Sequence, residues 1–348
     1  MKHVLTRFTE NKMTKFGFSL YAFHSFEENK RIVEKYVQAG FSFVFTSLNI
    51  ASDATQSEMH QLLHLCREND LDVMVDMNET VLSSYGVFGL KELGITHVRV
   101  DDGLTMGQIA DLSKEFHITL NASTLNEQKL HELQQHHLQQ DTMIACHNYY
   151  PKVYTGLSVE KVNVMHETLH KHGINVMMFI AGEQKRMPLF EGLPTIEAHR
   201  KLTPLQSALE CMVTCKADYI CVGDTMVSDT SLASLTYLIQ GIVPIRANVD
   251  ESLKQKRFTN RLDASEYVIR VIESRKIAQT KQLKGNVTKR VVGDIVMANS
   301  LFGRYEQEIE ICLQDLPEDA RQEVIGCVIK EDIPLLPYLQ QPLQFMLV

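Results

Sequence analysis

Four carboxylates recur at equivalent places in a repeating pattern: Asp76, Asp101, Glu183 and Asp224 each close, or closely follow, a short apolar, β-branched run. Like charges converging on one rim raise the pKa of some members, so one carboxylic acid stays protonated while another stays ionised. Such a pair suits glycoside hydrolysis, where the acid protonates the leaving oxygen and the carboxylate attacks or activates water. Asp101 and Glu183 are the first choice of catalytic pair. Asp102 places a like charge beside Asp101, and Glu183 opens a long loop from which a longer side chain can reach the leaving oxygen. Asp76 and Asp224 stand in reserve. The other runs end in hydrogen-bonding groups, of which Ser19, Ser47, Asn49, Asn121, His147 and Asn148 are expected to bind substrate, with Tyr149 next in the chain. Any one of these taken singly reads more often as a helix cap; their concentration is what points to a site.

Two long segments carry more chemistry. Asn148–Leu157 and Gly182–Leu202 have the length of loops that cover a ligand. They hold Tyr149, Tyr150, Tyr154 and Phe190, which can stack on sugar faces, the substrate-binding candidate Glu191, and Lys185 with Arg186 as an anion clamp. A solvated basic pair is the plainer reading of those two cations. His166-Glu167-Thr168-Leu169-His170 fits the zinc motif H-E-x-x-H. Val162, Met165 and Leu169 supply the buried stripe of that helix, so the histidines are expected at its solvent edge and no metal is expected.

The elements that must position these groups follow from periodicity. Phe16–Tyr21, Phe43–Ser47, Val73–Asp76, His97–Asp101, Ile118–Asn121, Ile144–His147, Val176–Ile180 and Tyr219–Gly223 read as strands, separated by segments of helical spacing. Glu27 and Glu28 open the first helix and Gly40 closes it; Thr124 with Glu127 reads as a capping box, Thr203-Pro204 as an N-cap with proline at N1, and Ser158 and Gly173 bound another helix. Eight such units in about 240 residues predict an α/β fold, a closed (β/α)8 TIM barrel whose catalytic groups lie at the carboxyl ends of the strands. An open doubly wound sheet is the alternative, without the G-x-G-x-x-G that would support it. After Gly241 the rhythm changes to a helical stretch near Ser265–Glu273 and short apolar runs at Val291–Met297, Ile309–Leu313 and Glu323–Ile329. The predicted plan is an N-terminal extension over 1–15, a barrel over 16–243, and a small mostly β domain over 244–348 that begins near Pro244.

The sequence has 348 residues, 44% hydrophobic and 22% charged, and a formal charge of −8 from 35 basic and 43 acidic side chains. That balance gives no footprint for nucleic acid or for anionic membranes. The N-terminus lacks the apolar run of a secretory signal and no stretch is long and apolar enough to span a bilayer, so a cytoplasmic protein is expected. Its seven scattered cysteines, with no C-x-x-C pair, fit reduced thiols. No cofactor is expected, and self-association into a homodimer is compatible with the composition.

The runs FGFSLYAFHSFEENKRIVEKYVQAGFSFVFTSLNI, ITLNASTLNEQ, ACHNYYPKVYTGLS, GEQKRMPLFEGLPTIEAHR and YICVGDT resemble those of the bacterial 6-phospho-N-acetylmuramidases, nearly throughout the chain from Lys15. The chain departs from the family at Asp102, where an aromatic residue is expected, and at Ala181, in place of a proline. The resemblance implies a cytosolic glycosidase acting on N-acetylmuramic acid 6-phosphate–N-acetylglucosamine in recycling of cell-wall sugars. It also implies a C-terminal domain that is cyclophilin-like, with Arg261-Leu262-Asp263 and Glu273-Ser274-Arg275 at family positions and Arg275 a further candidate for the phosphate. The competing reading is a catalytically idle barrel that binds a sugar phosphate or a partner protein. A zinc protease is the weakest.

Overall fold

Eight parallel strands close on themselves in chain order: β1 (Lys15–Ser19), β2 (Phe43–Ser47), β3 (Asp72–Met77), β4 (His97–Val100), β5 (His117–Asn121), β6 (Ile144–Cys146), β7 (Asn175–Ile180) and β8 (Tyr219–Val222), with β8 pairing β1. This is a computed structural model, and it describes residues 14–21, 23–48, 53–100, 103–136, 138, 143–278 and 285–348. The chain divides into two compact units, Met1–Ala233 and Ser234–Val348. Helices α1 (Phe26–Gln38), α2 (Asp53–Glu68), α3 (Glu79–Glu92), α4 (Met106–Leu112), α5 (Glu127–Gln135), α6 (Val159–Lys171), α7 (Pro204–Leu209) and α8 (Asp229–Ile239) follow the eight strands in turn. The closed barrel is therefore the predicted one, each strand within a residue or two of its predicted limits.

Local chemistry explains the helix limits. Ser25 and Glu28 form a capping box at α1, and Thr203 with Gln206 forms another at α7, with Pro204 at the first helical position. Gly40 and Gly173, with φ of 89° and 75°, follow the ends of α1 and α6. The box read at Thr124 and Glu127 does not form. Thr124 Oγ1 donates to the Asn121 carbonyl, and Asn126 Oδ1 accepts from Lys129 N at 2.8 Å, so α5 is capped two residues later, by Asn126.

The barrel interior is filled by alternate residues of the strands: Phe43 and Phe45, Met74, Ile144 and Cys146, Met177 and Phe179, Tyr219 and Cys221. This period of two sets which side chains reach the mouth, because the next inward position on each strand lies at its carboxyl end. No described helix is long and apolar enough to cross a membrane.

The second unit is mostly β. A five-stranded sheet runs β10 (Ala247–Val249), β15 (Gln322–Val328), β13 (Asp294–Ala298), β14 (Ile309–Cys312), β12 (Val268–Arg270), all antiparallel. A three-stranded sheet runs β11 (Arg257–Phe258), β16 (Gln344–Leu347), β9 (Ile242–Ile245). Pro244 lies inside β9, after the point where the two units part. The helix expected near Ser265–Glu273 is instead β12, which pairs with β14, and it is followed by the short α9 (Ser274–Ala278). The run Val268-Ile269-Arg270-Val271-Ile272 is mostly β-branched, and Val268 packs on Val296 and Cys312 between the strands, so strand preference and packing agree against a helix.

Candidate active site

Strand register brings Ser47, Asp76, Arg99 and Thr119 side by side across β2 to β5. Arg99 is the residue that sequence reasoning missed. Its Nη1 donates to Asp76 Oδ1 at 2.8 Å and its Nη2 to Asn148 Oδ1 at 2.6 Å, so it spans from β3 to the segment after β6. The signal was available: a charged residue inside the otherwise buried run His97–Val100 of a parallel strand needs a polar destination. Phe45, Asp76, Arg99, Asn148, Tyr149, Tyr150 and Phe179 line a cavity of about 380 Å³. Tyr149 meets Phe179 edge-on at 5.2 Å, which gives the cavity an aromatic wall.

Beside this wall lies a second guanidinium. Arg186 sits 4.3 Å from the Tyr21 ring and 5.6 Å from the Tyr149 ring, and its Nη2 donates to the Tyr149 hydroxyl at 3.2 Å. Its Nε–H is buried and has no acceptor among the described residues. Tyr21 donates its hydroxyl proton to the Gly223 carbonyl. Burial raises the pKa of both Tyr21 and Tyr149, the nearby Arg186 charge opposing, so both phenols stay protonated donors.

The three described candidate carboxylates have different surroundings. Of these, Asp76 lines the cavity. Asp224 is fully buried, and its carboxylate accepts from Gly182 N at 2.9 Å, Leu193 N at 3.0 Å and Arg186 N at 3.4 Å. Burial raises its pKa against those three bonds, so the shift arises from desolvation and not from the like charges expected of an acidic rim. Glu183 is exposed, and its Oε2 accepts from Ser228 N at 2.6 Å, just ahead of α8. Asp101 and Asn49 lie outside the described residues, as does Asp102. Among the described residues, then, the mouth is one carboxylate set between arginines and aromatic rings, not the strongly acidic rim read from the strand ends.

The proposed binding residues divide similarly. Asn148, Tyr149 and Arg186 are at the cavity or against its wall. Ser47 is half-buried at the end of β2. Ser19 is buried inside the barrel, its hydroxyl 3.7 Å from Cys221 Sγ. Asn121 turns its Oδ1 back to Ser123 N. Lys185 and Glu191 are exposed, and the Glu191 carbonyl accepts from Arg200. Arg275 belongs to α9 of the second unit, and its side chain lies outside the description.

His147 points away from the mouth. It is one position out of phase with Cys146 and Asn148, so its ring faces α6, where its Nε2 meets His166 Nε2 at 2.9 Å. His166 Nδ1 lies 2.6 Å from the Cys215 carbonyl and must donate to it. Its Nε2 is then the acceptor of the His147 proton, an assignment that rests on the hydrogen-bond network. The H-E-x-x-H match is thereby explained, with a correction: His166 is buried within the stripe, not at the solvent edge, whereas Met165 is only half-buried. His170 Nε2 pairs with Asp218 Oδ2 at 3.0 Å. Both histidines are ligated by protein groups that fix α6 onto the barrel. Among the described residues no group of three or more His, Cys, Asp or Glu is placed to hold a metal ion.

Both parts of the chain match family models. The model described as 6-phospho-N-acetylmuramidase, N-terminal, matches residues 16–237, and the one described as 6-phospho-N-acetylmuramidase, C-terminal, matches residues 239–348. Among solved structures the chain is similar to a conserved protein of unknown function from a locus in Enterococcus faecalis, with 29% identity, a TM-score of 0.81 and 96% of each chain covered. It is also similar to an uncharacterized B. cereus protein, with 28% identity and a TM-score of 0.80, over 97% of this chain and 99% of that one. No curated protein matches it.

Proposed function

Because the chain belongs to the 6-phospho-N-acetylmuramidase family, we propose that it hydrolyses the glycosidic bond of N-acetylmuramic acid 6-phosphate–N-acetylglucosamine, in cytoplasmic recycling of cell-wall sugars. The observation that carries this reading is the mouth cavity, in which Asp76 stands beside Arg99 under the aromatic wall of Phe45, Phe179 and Tyr149. Its volume of about 380 Å³ falls in the range of small-molecule sites. A carboxylate in an ion pair acts as nucleophile, base or electrostatic stabiliser of an oxocarbenium-like transition state, not as the proton donor. Asp76 takes that role here. The proton for the leaving oxygen is assigned to Asp101, which directly follows β4 in the chain. Arg186, whose buried Nε–H has no acceptor among the described residues, holds the 6-phosphate together with the exposed Lys185.

The deciding experiment is turnover of the phosphorylated muramyl disaccharide beside its unphosphorylated counterpart. Charge-assisted bonds are each worth about 1.5–3 kcal/mol, so the unphosphorylated sugar is expected to have a kcat/KM lower by at least about tenfold. Binding of the phosphorylated disaccharide without any turnover supports an idle sugar-phosphate barrel instead. Equal kcat/KM for both sugars removes phosphate recognition from the proposal.

A further inference from the structure

Resting on the assignment of the barrel mouth as the substrate site, we infer that Glu197 and Arg200 form a clamp that positions the two loops of the mouth, and that Glu197 is a positioning residue and not a general acid or base. The loops are 148–157, after β6, and 183–202, after β7.

Each atom of the pair has a structural partner. Arg200 Nε and Nη2 donate to Glu197 Oε1 and Oε2, both at 2.9 Å, in the parallel fork that guanidinium and carboxylate favour. The same two carboxylate oxygens accept from the first loop, Oε1 from Tyr154 N and Oε2 from Gly156 N, both at 2.8 Å. Arg200 completes the join. Its Nη2 donates to the Tyr150 carbonyl at 2.8 Å, and its Nη1 donates to the carbonyls of Gly192 at 2.9 Å and Glu191 at 3.2 Å. One ion pair thus holds backbone groups of both loops, with the guanidinium almost wholly buried. The Arg200 hydrogen bonds, followed by those from Tyr154 and Gly156, pull the Glu197 carboxyl down to about 2.

The backbone at these points needs such holding. Tyr154 and Phe190 have φ of 65° and 53°, the left-handed region that side chains disfavour. Glu197 binds the amide of the first, and Arg200 binds the carbonyl of the residue after the second. Gly156 is required by close approach, because a Cβ there would lie 2.7 Å from Glu197 Oε2 and 2.8 Å from Glu197 N. The clamped segment includes Asn148, Tyr149 and Tyr150, three of the residues lining the cavity, and Thr195 Oγ1 adds a further tie to the Asn148 carbonyl at 3.0 Å. A carboxylate with four donors on it and a depressed pKa has no proton to give and no free lone pair aimed at a substrate.

The test uses Glu197→Gln, Arg200→Lys and Gly156→Ala, each on the full chain. Amide hydrogen exchange needs no substrate and reads the clamp directly: exchange of the amides at positions 154 and 156 is expected to accelerate in all three variants, and exchange near Glu191 and Gly192 to accelerate with it. Unchanged exchange in variants that fold overturns the clamp. Steady-state kinetics on the phosphorylated disaccharide then tests its use. Misplaced walls should lower kcat/KM by about 10²-fold, mostly through KM, while the pH dependence of kcat/KM keeps its wild-type limbs. If Glu197→Gln removes one limb and abolishes kcat at unchanged KM, Glu197 is an acid or base and the inference fails. A wild-type chain that turns over no phosphorylated disaccharide would refute the assigned function, and the exchange result would still decide the clamp.

Discussion

On the β3–β4 side of the barrel mouth the charged side chains face each other, whereas on the β7–β8 side they face the backbone. Asp76 and Arg99 pair across neighbouring strands beside the cavity, with Asn148 on the far side of the guanidinium. Asp224 and Glu183 stand at equivalent strand ends, yet one accepts three loop amides and the other accepts the amide of Ser228 ahead of α8. The short loop between β3 and α3 caps its helix with Asn78, whose Oδ1 accepts from Val81 N. The long loop after β7 has many amides and no strand of its own to pair them, so it draws in the nearest carboxylates. The strand-end carboxylates of the β7–β8 side are therefore taken up by the backbone of the long loop and of the α8 terminus, whereas Asp76 pairs with a guanidinium at the cavity.

The largest effect should come from Asp76. Asp76→Asn keeps shape but cannot form a glycosyl bond or accept a proton, so kcat is expected to fall by about 10²–10⁴, or further if the residue is the nucleophile. The melting temperature should stay near wild type. Turnover within about threefold of wild type would break the contrast between the two sides of the mouth.

Asp224 should show the reverse pattern. Asp224→Ala leaves the buried Gly182 and Leu193 amides without their acceptor, at about 1–3 kcal/mol each, so stability is expected to fall by about 2–6 kcal/mol in urea unfolding. Asp224→Asn retains an acceptor oxygen and should cost less than half as much. A fully stable Asp224→Ala protein with no activity would place Asp224 among the reacting groups.

The same contrast between neighbours occurs on β6, where Asn148 faces the cavity and His147 faces α6. Burial pushes His147 and His166 down to about 3 and about 4, against about 6.5 for histidine in an unfolded chain. The pair is bonded as two neutral rings. Its stabilisation is complete above pH 6.5 and is lost as pH falls from there toward about 4 for His166 and about 3 for His147, at up to about 1.4 kcal/mol per pH unit for each ring. Ring resonances followed by NMR should show His147 and His166 still neutral at pH 5. Titration of either near 6.5 would mean that the pair is open to water.

The fold was legible because its signal is periodic. Apolar runs such as Phe43–Ser47 and Tyr219–Gly223, spaced by helices with readable caps, leave few arrangements other than a closed parallel barrel. The strand ends were legible too, and with them Asp76, Asn148 and Tyr149. What the sequence could not convey was phase and prior commitment. His147 and Asn148 are adjacent letters on opposite faces, and only the inward phase of Cys146 separates them. Arg99 stands inside the strand and not at its end, two residues before Asp101, so the strand-end pattern does not include it. Glu197 and Arg200 stand in the run EGLPTIEAHR, but their partners are backbone groups up to 50 residues away, which no local pattern records. The run from Val268 to Ile272 carried both helical spacing and β-branching, and pairing with β14 decided between them.

The smallest effect is expected at Glu183, the residue that sequence alone favours as an acid. Its Oε2 accepts the Ser228 amide at 2.6 Å, and Ser228 Oγ in turn accepts from Ser231 N at 3.2 Å, so the side chain belongs to the cap of α8. A capping bond is worth about 0.5–2 kcal/mol, and glutamine keeps an oxygen able to make it. Glu183→Gln should accordingly leave kcat/KM within about threefold of wild type and lower stability by well under that capping value. Glu183→Ala removes the acceptor and should cost the full capping bond while still leaving kcat nearly intact. Both outcomes follow from a carboxylate whose Oε2 is engaged by a backbone amide at a helix terminus and not by the cavity. A hundredfold fall in kcat for Glu183→Gln at unchanged stability would show that the loop after β7 releases this side chain to the substrate, and the division of the mouth into a chemical side and a structural side would no longer hold.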